Sequence, residues 1–162
     1  MKVEQLMTRN VKTCTEADTL NRAAQLMWEA DCGFIPVISA DGNGKLVGVL
    51  TDRDIAMAAY TQGKQLWSIP VGTAMARNVI VCHTRDGISQ AEAIMRDNRI
   101  RRLPVLDDQE RLVGILSLND IAREAERETA AGKRAEVSPE EVSRTLASVC
   151  QPRISREMTA VA

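Results

Sequence analysis

The chain has 162 residues, with 21 basic against 22 acidic side chains and a net charge of −1. That balance excludes a global electrostatic drive toward nucleic acid or an anionic membrane. Hydrophobic residues make up 44% but aromatics only 2%, so any core must be built from Val, Ile, Leu, Met and Ala. No apolar run approaches the roughly 18 residues of a membrane span. The start, Met1-Lys2-Val3-Glu4-Gln5, carries no signal-peptide stretch, and the expectation is a cytoplasmic protein.

A short lead-in helix is expected around Gln5-Leu6-Met7, then a strand over residues 11–14. Leu20, Ala23, Ala24 and Met27 recur at helical spacing and predict an amphipathic helix, N-capped by Asp18 or Thr19. A buried strand over residues 34–38 leads to Asp41-Gly42-Asn43-Gly44, a hairpin turn signal. The return strand covers residues 45–50, and a last helix starts near Asp52. The same order then recurs. Its members are a lead-in at Thr73-Ala74-Met75, a strand over 79–82, and a helix with Ile88, Ala91 and Met95 on one face. Asp86 or Ser89 is expected near that helix's start. Strands over 103–106 and 111–116 flank a weaker turn, Asp108-Gln109-Glu110, and a helix starts near Leu118.

The two runs align as an internal repeat. Val3 to Ser39 fall over Val71 to Asp107, and Lys45 to Ala56 over Arg111 to Ala122; of these 49 positions, 18 are identical. The predicted division is a first repeat over 1–62, a linker over 63–70, a second repeat over 71–128, and a tail over 129–162. Within the tail, residues 130–137 read as a polar linker. Ser138-Pro139-Glu140-Glu141 reads as a helix start, with N-cap serine, proline in the first turn and acids beside the dipole. Val142, Leu146 and Val149 form a thin apolar stripe, too narrow for a core, so this helix is expected to be dispensable for nucleotide binding. Residues 151–162 are expected to be disordered.

None of Cys14, Cys32, Cys82 and Cys150 lies in a Cys-x-x-Cys pair, and His83 is the only histidine. A zinc site needs about four clustered ligands. Reduced thiols packed as small apolar residues are expected, with Cys14 and Cys82 at one repeated strand position.

Each repeat carries a Pro-Val strand, a turn, and then Gly-x-x-Ser/Thr-x-x-Asp. In the first these are Phe34-Ile35-Pro36-Val37 and Gly48-Val49-Leu50-Thr51-Asp52-Arg53-Asp54. In the second they are Arg102-Leu103-Pro104-Val105 and Gly114-Ile115-Leu116-Ser117-Leu118-Asn119-Asp120. This pattern resembles the CBS repeat in its paired form, the Bateman module, over about residues 1–126. The resemblance implies an α+β fold of two β-α-β-β-α repeats, each with a short lead-in helix, related by a pseudo-twofold axis; the C-terminal helical tail is additional. It also implies two clefts between the repeats, a nucleotide ligand and no catalysis.

Thr51 and Ser117 end strands and precede helices, where a hydroxyl beside free amides can hold phosphate. Asp54 and Asp120, one turn on, can accept from ribose hydroxyls. The same residues also suit plain helix caps, and the two roles can coexist. By the resemblance, the Thr51/Asp54 cleft is completed by Asn78, Val79 and Ile80 and by Ile100, Arg101 and Arg102. The Ser117/Asp120 cleft is completed by Asn10, Val11 and Lys12 and by Cys32, Gly33 and Phe34. Arg99, Arg101 and Arg102 stand where the first repeat has Asp31, Gly33 and Phe34, which favours the Thr51/Asp54 cleft for phosphate. Phe34 either stacks on adenine, blocks its cleft or simply packs.

No Gly-x-x-x-x-Gly-Lys, His-Glu-x-x-His or Gly-x-Ser-x-Gly motif occurs, so no enzyme class is favoured. The leading expectation is a regulatory module that binds AMP, ADP or ATP and signals to an unknown protein effector. Competing readings are an S-adenosylmethionine-binding module, a ligand-free scaffold and a cysteine redox sensor. Neither nucleic acid nor membrane is an expected partner. A homodimer is expected, through helix faces carrying Leu20, Met27, Ile88 and Met95.

Overall fold

The computed structural model describes residues 1–132 and 136–152. Helix α1 (Val3–Leu6) leads into β1 (Cys14–Thr15), α2 (Leu20–Glu29), β2 (Phe34–Ile38), β3 (Leu46–Thr51) and α3 (Asp52–Gln62). After short 3₁₀ turns at Leu66–Ser68 and Val71–Thr73 come β4 (Cys82–His83), α4 (Ile88–Asn98), β5 (Arg102–Leu106), β6 (Leu112–Ser117) and α5 (Leu118–Ala130). Helix α6 (Pro139–Val149) follows. The strands form two three-stranded sheets, ordered β1-β2-β3 and β4-β5-β6. In each, the first pair is parallel and the second antiparallel. This is the expected α+β pair.

Several local readings change. The first strands are two residues long and begin at Cys14 and Cys82, not at Val11 and Val79, because the ladder to β2 and β5 starts only there. Thr19 caps α2 by accepting from Arg22 N, whereas Asp18 accepts from the amide and hydroxyl of Thr15. Asp86 and Ser89 flank the start of α4 as expected, Gly87 occupies its N-cap, and Asp86 accepts from His83 N. On α2 the buried set is Leu20, Ala23, Leu26 and Met27, with Ala24 only half-buried.

Two aliphatic cores form, and each borrows the other repeat's lead-in. Val3 and Met7 sit in the core of β4–β6, α4 and α5, while Ile69, Val71 and Met75 sit in the core of β1–β3, α2 and α3. The hydrogen bonds show the exchange reciprocally. Val3 N donates to Asp86 O and Val71 N to Asp18 O; Ile88 N donates to Met1 O and Leu20 N to Ile69 O. Glycine makes the crossing close. A Cβ on Gly48 would meet Met75 Sδ at 2.6 Å and Ala76 O at 3.1 Å, and one on Gly114 would meet Met7 Sδ at 2.7 Å and Thr8 O at 3.0 Å.

Leu20, Met27, Ile88 and Met95 are all buried within the chain. The aliphatic helix faces expected to seek a second copy are therefore satisfied internally. Among the described residues, the large apolar ones left exposed are Trp28, Met57, Tyr60, Trp67 and Leu146.

The tail helix starts as read, with Ser138 Oγ accepting from Glu141 N and Pro139 in its first turn. Its packing face differs from the expected stripe. Thr145 is fully buried while Leu146 is 48% exposed, because α6 lies against both α4 and α5. The polar linker also contributes to the core: Val137 is 1% exposed, and Glu128 Oε2 accepts from the amides of Glu136 and Val137. Cutting the chain after Glu128 would remove Val137 from the second core. Of the stretch expected to be disordered, residues 153–162 lie outside the described residues.

Candidate functional site

Thr51 and Ser117 each end a β-strand and cap the next helix. Thr51 Oγ1 accepts from Asp54 N at 3.2 Å and donates to Asp54 Oδ2 at 2.7 Å, and Thr51 N donates to the same oxygen at 2.8 Å. Ser117 and Asp120 repeat the arrangement. Both motifs are thus reciprocal capping boxes, which satisfy otherwise orphaned helix amides. Each hydroxyl proton points at a carboxylate, so a phosphate gripped by Thr51 or Ser117 would have to compete with the cap.

The carboxylates differ. Oδ2 of each is held by its cap. Oδ1 of Asp120 accepts from Arg123 Nη2 at 2.6 Å, and Asp120 is 8% exposed. Asp54 is more open, and its Oδ1 accepts no hydrogen bond among the described residues. Met57 occupies the position matching Arg123. A carboxylate oxygen with unused lone pairs at a helix end is a ready acceptor for a hydroxyl pair.

The crossing lead-ins bring the other repeat's residues alongside. Ala76 N donates to Val49 O and Val49 N to Ala76 O, which sets the segment leading to Asn78, Val79 and Ile80 beside the strand that ends in Thr51. Thr8 and Ile115 pair in the same way, setting Asn10, Val11 and Lys12 on the approach to Ser117. Asn78, Asn10 and Lys12 are exposed, while Val79, Ile80 and Val11 are half-buried. Asn10 adopts a left-handed φ of 57°.

The strand entries lie beside the helix starts of their own repeats. Phe34 is the register partner of Thr51 and Arg102 that of Ser117, each within its own sheet. Asp52 N donates to Gly33 O and Leu118 N to Arg101 O. A cavity of about 450 Å³ takes Cys32 and Gly33 from one expected cleft and Arg102 from the other, together with Asp31, Asp52, Ile55 and Trp28. Neither Thr51 nor Asp54 lines it. A Cβ on Gly33 would meet only the carboxylate of Asp52, at 2.5 Å, and that exposed side chain can turn aside. Phe34 is buried yet belongs to neither core cluster. Arg101 is exposed, Arg102 and Ile100 are half-buried, and Arg99 ends α4 with a left-handed φ of 51°.

The thiols bear on the redox reading. Burial, then the nearby Asp18, pushes Cys14 up to about 12. Burial and Asp86 do the same to Cys82. Neither is a thiolate near neutral pH, and the thiolate is the reactive form. Cys32 donates to Phe34 O, and Cys150 is exposed. Among the described residues no helix is long and apolar enough to cross a membrane, and no group of three or more His, Cys, Asp or Glu is placed to hold a metal ion.

Sequence reasoning missed three features: the exchange of lead-ins, the Arg123 lock on Asp120, and the Trp28 wall of the cavity. The repeated pairs Met7/Met75 and Gly48/Gly114 were the available signal for the first, since each methionine packs over the other repeat's glycine.

A sequence profile described as the CBS domain matches residues 3–60 and 71–127. The chain is 38% identical over 120 residues to the CBS domain-containing protein YhcV of Bacillus subtilis (strain 168), covering 74% of this chain and 82% of that protein. It is similar in structure to the CBS domain pair of protein MJ0100 in complex with 5′-methylthioadenosine and S-adenosyl-L-methionine. There the TM-score is 0.68 and the identity 28%, over 83% of this chain and 98% of the other. It is also similar to CBSX2 in complex with AMP, with a TM-score of 0.69 and 26% identity over 79% and 98% of the two chains.

Proposed function

The chain belongs to the CBS-domain family, as a pair of repeats, and we propose that it is a non-catalytic regulatory module that senses an adenine nucleotide between them. The carrying observation is the inequality of the two carboxylates. Asp54 keeps one oxygen unengaged beside the crossing segment that leads to Asn78, whereas Asp120 is locked by Arg123. Asp54 accepts from the ribose hydroxyls. The apolar side chains of Val79 and Ile80 border the base, and Ile100, Arg101 and Arg102 complete the cleft, the arginines binding phosphate. The Ser117/Asp120 cleft, with Asn10, Val11, Lys12, Cys32, Gly33 and Phe34, is the weaker of the two.

AMP, ADP and ATP are the proposed ligands, and the AMP complex of CBSX2 supports that class. S-adenosylmethionine is the second reading, supported by the MJ0100 complex, since its ribose offers Asp54 the same hydroxyls. Ligand shifts an equilibrium between two states through its differential affinity for them, and a protein effector reads the outcome. The responding unit is a homodimer in the cytoplasm. Mass spectrometry of small molecules released from purified protein tests the ligand class. An adenosine nucleotide supports the first reading and S-adenosylmethionine the second. Protein that releases neither, and is not thermally shifted by either, would support the ligand-free scaffold instead.

A further inference from the structure

Helix α6 lies against α4 and α5, and its polar contacts to α4 fall in register. Thr145, fully buried, accepts from Arg96 Nη1 at 3.3 Å, and Ser148 Oγ donates to Arg96 O at 3.2 Å. One turn earlier on the two helices stand Glu141 and Glu92. Glu92 is buried, and neither of its carboxylate oxygens has a hydrogen-bond partner among the described residues. The first repeat, on which no counterpart of α6 lies among the described residues, has Ala24 at the matching position.

A carboxyl buried without a hydrogen bond is costly to ionise. The charges about it do not offset that cost. Arg96, one turn on along α4, favours the ionised form, but its guanidinium is turned to Thr145, and Glu141 of α6 opposes it. Other charges on the neighbouring elements are engaged or exposed. Glu140 accepts from Ser138 Oγ, Arg144 is exposed, Glu124 accepts from Arg127, and Glu128 accepts from the amides of Glu136 and Val137. Arg102, the charged residue of β5, lines the cavity beside Trp28. Burial therefore prevails, and Glu92 is pushed up to about 7.

We propose that α6 is a proton-gated strap, closed over α4 while the Glu92 carboxyl holds its proton and lifted when that carboxyl ionises. Lifting brings water to Glu92 and breaks no hydrogen bond of its carboxylate. An 11-residue helix is marginal by itself, so α6 depends on its docking, and segments held in this way open well before the whole fold does. Val137, buried and with its amide held by Glu128, is the anchor, and Ser138-Pro139 is the pivot. Lifting bares Ala122 and Ala125, which line a cavity with Pro139 and Val142. The second repeat then presents an uncovered helix face, as the first does. Proton concentration is thus an input to the module separate from any nucleotide.

The direction follows from the carboxyl. Its value with α6 closed lies above the ordinary 4.5, so closure is fully supported below about pH 4.5 and is lost as pH rises to about 7.

Amide hydrogen exchange of the full chain at about pH 6 and about pH 8, expressed as protection factors so that the chemical rate divides out, tests this. Residues 142–149 are expected to be less protected than β5 and β6 at both values. They are expected to lose roughly a further tenfold between them, the ratio that a shift from 4.5 to about 7 gives. Glu92→Gln, which cannot ionise, holds α6 at the same protection at both values. Glu92→Ala, the residue of the first repeat, does the same and serves should the amide disturb packing. Protection of α6 equal to that of β5 and β6 would overturn the strap, since α6 would then open only with the whole repeat. A tenfold fall that persists in both variants would overturn the assignment of the gate to Glu92.

Discussion

Arg123 Nη2 donates to Asp120 Oδ1 at 2.6 Å, and the first repeat has Met57 at the matching position. That single exchange separates two otherwise parallel capping boxes. One carboxylate is committed on both oxygens and the other on one. Arg123 is itself 76% exposed, so the pair contributes little to folding, and its effect is on what Asp120 can still accept.

Arg123→Met should therefore release the second cleft. The expected outcome is a second, weaker nucleotide-binding event in calorimetry, with thermal stability within about 0.5 kcal/mol of wild type. Unchanged stoichiometry and affinity in a folded variant would show that Arg123 does not gate Asp120.

Gly48→Ala and Gly114→Ala probe the crossing lead-ins. The added methyl meets Met75 or Met7 sulfur and a backbone carbonyl. The carbonyl cannot swing aside as a side chain can. Overpacking of this kind costs about 1–3 kcal/mol, which for a chain of this size lowers the melting temperature by roughly 2–12 °C. Calorimetric melts that leave both variants at the wild-type temperature would contradict the exchange.

The strand over 34–38, the Asp41–Gly44 turn and both Ser/Thr-x-x-Asp helix starts were legible because each rests on a local rule: apolar run, turn chemistry, cap. The exchange of lead-ins was not. Val3 and Val71 are the same residue in equivalent segments, so local pattern is identical whichever core each enters. The face of α6 was misread because the stripe counted apolar residues, and the buried position is Thr145, whose hydroxyl is satisfied by Arg96. Burial of Leu20, Met27, Ile88 and Met95 within the chain removed the expected dimer faces. Trp28 and Tyr60 are the most exposed of the large apolar residues described.

Glu92 gives a pH signature. It is 1% exposed, neither carboxylate oxygen has a hydrogen-bond partner among the described residues, and burial first, then Glu141, pushes it up to about 7 against the lowering pull of Arg96. Its folded value lies above its unfolded value. The stability it supports is therefore fully present below about pH 4.5 and is lost as pH rises to about 7, by up to about 3 kcal/mol. Glu92→Gln should flatten that decline in melts taken between about pH 5 and pH 8. An undiminished slope in Glu92→Gln would assign the pH dependence elsewhere.

Thiol titration of the native protein should modify Cys150 rapidly and leave Cys14 and Cys82 unmodified until the chain unfolds, because burial keeps both protonated. Fast reaction of all four thiols in the folded protein would revive the redox-sensor reading.

Calorimetric titration of AMP, ADP and ATP into wild type, Asp54→Ala and Asp120→Ala tests the ligand assignment most directly. Hydrogen bonds from ribose hydroxyls to a charged acceptor are worth about 1.5–3 kcal/mol each, so Asp54→Ala should lose at least about tenfold in affinity. Asp120→Ala should lose less, since Arg123 already occupies its second oxygen. Equal losses in the two variants would contradict the asymmetry, and undiminished binding in both and in the double variant would contradict the assignment of these carboxylates to ribose.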